Sequence, residues 1–147
     1  MGDWRQEIDD LFKSRGFEKK VPELSADDQV AIQEFLENIG KPAFENFSDE
    51  LNSFLHVKAE VVSSKKSAES IMEQVELNVF QMMHPKLTYR LKFLKKDNGV
   101  YLQGEYSTPN IYGENTRFHD TSLDRPLVGA TEDDIAKDIS NILESKF

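Results

Sequence analysis

Cysteine is absent from the 147 residues. That excludes disulfide bridges, Cys-ligated zinc, iron–sulfur clusters and thiol nucleophiles. Apolar residues are sparse: with glycine counted and tyrosine not, they make up about 40 % of the chain against a usual 45–50 %. No run of them approaches the roughly 20 residues of a membrane-spanning helix. The 7 glycines and 5 prolines are too few for a collagen or low-complexity chain. Positive charge is short as well. Eighteen Lys and Arg face 27 Asp and Glu, a net charge of −9, which repels nucleic acid and anionic lipid as a whole-molecule field.

The first residues, Met1-Gly2-Asp3-Trp4-Arg5-Gln6, carry neither the basic nor the apolar region of a secretory leader. Gln6 stands where a myristoylation signal has Ser or Thr. A cytoplasmic location is expected, and in that compartment the sequon Asn46-Phe47-Ser48 is inert. What remains supports a folded chain. Leu, Ile, Val and Phe total 40 of 147, enough for the core of one domain spanning residues 1–147.

Hydrophobic periodicity divides the chain into helix, sheet and helix. Trp4, Ile8, Leu11 and Phe12 share one helical face and predict a helix from Asp3 to Lys13. Ser25 begins a capping pattern with Asp27 and Asp28 in the first turn, and Ile32, Phe35, Leu36 and Ile39 form the apolar face that follows. Gly40-Lys41-Pro42 predicts a kink or break, since proline inside a helix costs about 3 kcal/mol. A third helix then runs from Pro42 to Phe54. Beyond it the period drops to two. Val57, Ala59 and Val61 predict one strand; Val75, Leu77 and Val79 a second; Leu87, Tyr89, Leu91 and Phe93 a third; Val100, Leu102, Gly104 and Tyr106 a fourth. Ser63–Glu69 reads as a polar loop. Thr116–Thr121 reads as a short edge strand within an otherwise irregular stretch, Ser107–Ala130. A Thr131-Glu132-Asp133-Asp134 cap starts the last helix, with Ile135, Ile139, Ile142 and Leu143 on its apolar face.

The expected fold is therefore α+β: N-terminal helices, a four- to five-stranded antiparallel meander, and a C-terminal helix packed on one sheet face, the other face polar and exposed. Taking Asn98-Gly99 as a two-residue hairpin loop pairs Asp97 with Val100, Lys92 with Glu105 and Leu91 with Tyr106. A five-residue loop after Phe80 pairs Glu76 with Arg90. Both charged pairs then lie on the polar face and favour it. The basic run Lys86, Arg90, Lys92, Lys95 and Lys96 beside Tyr101 resembles a single-strand nucleic-acid platform in composition, but Glu76 and Glu105 flank and neutralise it, so no nucleic-acid partner is expected. Met82-Met83 is expected to fill gaps in the core.

No nucleophile elbow, phosphate loop or dinucleotide fingerprint occurs, no cofactor is implied, and no histidine has zinc-motif spacing. His56 and His84 read as solvated. His119 sits among Arg117, Asp120 and Asp124, where an acid–base or ligand-binding role is conceivable in chemistry. With Tyr106 and Tyr112 these residues form a candidate binding set. Asp27-Asp28 and Asp133-Asp134 are accounted for by capping. Charge is unevenly spread: residues 1–54 carry net −7, residues 55–130 net +1 and residues 131–147 net −3. The acidity lives on the helices, and Glu34, Glu37 and Glu45 mark a surface for a basic partner. The expected function is a non-catalytic interaction or regulatory protein, an inhibitor or immunity-type protein in its most specific form. A small-molecule binder or minor enzyme using Ser107–Ala130 is the alternative.

Overall fold

The computed structural model of the chain describes residues 4–17, 24–65, 73–109 and 117–146. Helix α1 covers Trp4–Ser14, α2 Ala26–Phe35 and α3 Lys41–Asn52, the last two joined by a π-helical turn, Leu36–Gly40. Five strands follow: β1 Val57–Lys65, β2 Glu73–Gln81, β3 His84–Lys96, β4 Gly99–Ser107 and β5 His119–Pro126. Helix α4, Glu132–Lys146, closes the fold. The sheet is an antiparallel meander in the order β1-β2-β3-β4-β5. The α+β expectation thus holds.

The capping box at Ser25 forms: its hydroxyl accepts from the Asp28 N–H at 3.1 Å, and Asp28 accepts from the Ser25 N–H at 3.0 Å. The expected break at Gly40–Pro42 does not occur. Ile32, Leu36, Gly40, Phe44 and Ser48 are all buried, a stripe that recurs every four residues. On an ideal helix, at about 100° per residue, such a stripe drifts by roughly 40° at each step. The π turn widens the helix locally and takes up that drift. The Lys41 N–H donates to Leu36 O, five residues back, and Pro42 falls in the first turn of α3, where its missing N–H costs least.

The inner sheet face packs on α2, α3 and α4. Leu77, Val79, Tyr89, Leu102, Ile32, Phe44, Ile135 and Ile139 are at most 1 % exposed, and each such side chain contributes about 1.5–3 kcal/mol. Phe44 meets Tyr89 edge to face with centroids 5.8 Å apart. Phe54, expected on the face of the third helix, lies beyond its end and is exposed.

The register corrects two turns. Glu76 does face Arg90, but the loop after Phe80 is not five residues long. Gln81 pairs with His84 across Met82-Met83, and a bulge between Val79 and Phe80 restores the frame. At the other hairpin Lys96 pairs with Gly99, so Arg90, not Lys92, faces Glu105, and Tyr89, not Leu91, faces Tyr106. Gly99 takes positive φ (125°), while Asp97 and Asn98 do not. This is the pattern of a glycine bulge after a turn, not of a type I′ loop. The shift is two residues, so every side chain keeps its face.

The edge strand begins at His119, later than expected. Its inward residues include the polar Thr121 beside Leu123, which blurs the alternation. The stretch expected as a polar loop is strand as far as Lys65, and its remainder falls outside the described residues. The outer sheet face is polar, as read, but not simply exposed: Thr88 and Ser107 are buried there as cross-strand partners, and Thr88 donates to Asn78 Oδ1 at 2.7 Å.

Candidate interaction surface

The basic run on β3 is neutralised across the outer face. Glu76, Arg90, Glu105 and Asp120 are successive cross-strand partners on β2, β3, β4 and β5. Arg90 lies between Glu76, at 3.7 Å, and Glu105, to which its Nε donates. Lys92 bridges Glu105 at 3.9 Å and Asp120 at 2.8 Å, and that contact holds the Asp120 carboxyl below the ordinary range. The Phe118 ring stacks under the Arg90 guanidinium at 3.5 Å. Lys95 pairs with Asp28 at 2.9 Å and Lys96 with Asp124 at 3.5 Å. These cations are engaged within the fold.

The candidate binding set divides. Tyr106 pairs with His119 across β4 and β5, their rings 5.5 Å apart, and Lys146 approaches the Tyr106 ring at 5.7 Å. Asp120 turns to Lys92 on the other face. Arg117 is exposed ahead of β5. Tyr112 lies outside the described residues. His119 and Asp120 therefore do not converge. His56 precedes β1 instead of lying on its polar face, and His84 opens β3, exposed. Among the described residues no group of three or more metal-ligating side chains converges, and no helix is long and apolar enough to cross a membrane.

One buried polar cluster escaped the sequence reading. Asp138 of α4 is 3 % exposed. It accepts from the Tyr89 hydroxyl at 2.5 Å, from the Thr121 hydroxyl, and from Ser122 at 3.4 Å. Burial, with the Asp138 charge beside it, raises the Tyr89 phenol above its ordinary range. A Cβ on Gly104 would overlap Asp138, Tyr89 and Thr121, so this glycine makes the room for the contact. Two signals were available in the sequence: a glycine inside a strand pattern, which marks close approach, and an acid on the apolar stripe of α4. The cluster fastens α4 to the sheet.

The helices carry charge differently from the sheet. Every strand acid whose side chain is described has a cationic partner: Glu60, Glu76, Glu105, Asp120 and Asp124. Glu34, Glu37 and Glu45 are solvent-facing on the α2–π–α3 helix, and no ion pair among the described residues engages them. Glu37 accepts only a Gln33 amide, at 3.1 Å. Beside Glu34 runs an open groove of about 250 Å³, with Phe35, Ile39 and Leu127 below and Asn38 and Val128 at its border. Val128 is 89 % exposed. Apolar floor and uncompensated acid rim together suit a segment that brings an apolar side chain and a cation.

No family model, curated protein or solved structure matches the chain.

Proposed function

We propose that the protein is a non-catalytic interaction protein whose α2–α3 face receives a basic partner, with Glu34, Glu37 and Glu45 supplying the charge and the adjacent groove an apolar foothold. One observation carries the reading: the acids of the sheet are matched within the fold, while those of this face are not. Unmatched surface acids steer a basic partner and raise its on-rate. An inhibitor of a basic enzyme or groove is the form that fits best.

The test uses the whole chain as bait in lysate of its own cell, against a variant carrying Glu34→Lys, Glu37→Lys and Glu45→Lys. The captured protein is then purified and titrated. Exposed ion pairs contribute about 0.2–1 kcal/mol each, and reversal adds repulsion, so the triple variant should lose at least tenfold in affinity. The affinity of the unaltered protein should fall as salt rises. A partner held equally by both proteins, or one that is itself acidic, refutes the proposal.

A further inference from the structure

The exposed large apolar side chains gather in two places away from the acidic groove. The first is α1. None of its residues is buried, and Trp4, Ile8, Leu11 and Phe12 form one stripe, 63 % exposed at Trp4. Glu7 and Asp10 border that stripe on one side at helical spacing. The second is one end of the sheet, where two turns meet. The Met82 N–H donates to His56 O at 2.8 Å, joining the α3–β1 turn to the β2–β3 turn. Phe54, Leu55, Met82 and Met83 project there, with Leu55 84 % and Met83 94 % exposed. Met82-Met83 therefore does not fill the core. It forms a two-residue turn in left-handed backbone, φ 51° and 71°, and His56 adds a third such residue at 66°. Each non-glycine residue in that region costs of order 1–2 kcal/mol, and Asn-Gly is the usual solution. Strain of this kind concentrates where a contact uses it.

Charge separates the two places. Residues 52–58 and 81–87 hold Lys58, Lys86, His56 and His84 and no acid, in a chain of net −9. The acid-bordered stripe of α1 thus complements the sheet tip and is repelled by the Glu34–Glu37 groove. We infer that α1 of one molecule docks on the Phe54–Leu55/Met82–Met83 tip of a second copy, and that the exchange is reciprocal in a two-fold pair. Size requires reciprocity. Eight half-exposed large side chains burying on the order of 100 Å² each give roughly 800 Å², short of the ~1,200 Å² of a stable interface, and two such contacts reach roughly 1,600 Å². A two-fold pair also closes, where a one-way contact would propagate.

Sedimentation velocity of the full chain from about 1 µM to 1 mM tests this, with circular dichroism to show that each variant is folded. The unaltered protein should form a concentration-dependent dimer. Ile8→Ser with Leu11→Ser, and separately Leu55→Ser with Met83→Ser, should each weaken the dimer at least tenfold. Mixing those two variants should recover heterodimer through the one contact still intact. Lys58→Glu with Lys86→Glu should weaken self-association, as should Glu7→Lys with Asp10→Lys, and combining all four should restore it to within a few-fold. The Glu34/Glu37/Glu45 reversal should leave the dimer unchanged. A monomer throughout the range overturns the inference, as does a dimer indifferent to both serine pairs. So does a monomer that pellets with phosphatidylserine-containing vesicles and not with phosphatidylcholine alone, because a lipid surface is then what the tip meets.

Discussion

Removing one hydroxyl tests whether the Asp138 cluster holds α4 to the sheet. Tyr89→Phe keeps the ring against Phe44 and deletes only the donor that lies 2.5 Å from Asp138. Both partners are buried, so water does not replace the lost bond. A hydrogen bond to a charged group is worth about 1.5–3 kcal/mol. For a chain of this length 1 kcal/mol moves Tm by roughly 3 °C, so the variant should melt about 5–10 °C lower by calorimetry or circular dichroism. Asp138→Asn separates charge from shape: combined with Tyr89→Phe in a double-mutant cycle it should cost clearly less than the sum of the two single changes. The pH dependence has a definite sign. The phenol is raised above its ordinary value of about 10, so the unfolded chain loses this proton first. The contribution is complete below pH ~10 and is lost as pH rises beyond it, at up to about 1.4 kcal/mol per unit. Tyr89→Phe should flatten that alkaline decline. A variant within about 0.5 kcal/mol of the parent, with an unchanged alkaline slope, refutes the account.

Two further outcomes follow from the backbone. Asn52 shields the sheet edge, its Oδ1 accepting from the Ala59 N–H at 2.7 Å and its Nδ2 donating to Ala59 O at 3.1 Å. Asn52→Ala should lower stability by about 1–2 kcal/mol in urea unfolding and raise light scattering on warming, because the edge of β1 is then open to pairing. Met82→Asn with Met83→Gly fits the turn it replaces and should raise Tm by about 3–6 °C, from relief of roughly 1–2 kcal/mol of strain, while weakening self-association. No rise would mean that the left-handed turn carries no strain.

Much of the fold was legible because burial follows period. The change from Phe44–Phe47–Leu51 spacing to Val57–Ala59–Val61 alternation marks the passage from helix to sheet, and the capping residues at Ser25 and Thr131 mark helix starts. Register was less legible. A glycine after Asn98 serves a type I′ loop or a bulge equally well, and the two differ by two residues without moving a side chain to the wrong face. The Met82-Met83 turn had no local signal, since methionine disfavours the backbone it adopts there. The late start of β5 was hidden because its inward residues include Thr121, whose partner Asp138 comes 17 residues later. Of the surfaces, the acidity of Glu34, Glu37 and Glu45 was readable from charge counts. The groove beside them was not, because Leu127 and Val128 reach it from the loop before α4.

The π turn at Leu36–Gly40 makes this region unusually sensitive to changes of length. A substitution there alters one contact. Loss of a single residue, by contrast, would let the helix return to ordinary winding and turn everything beyond it by about 100°. Ala43, Phe44 and Ser48 would swing off the sheet and Glu45 would leave the side it shares with Glu34. Drift in this chain can therefore exchange residues within the long helix but not delete one, so related sequences should keep the spacing from Ser25 to Asn52 constant even where the residues between them differ.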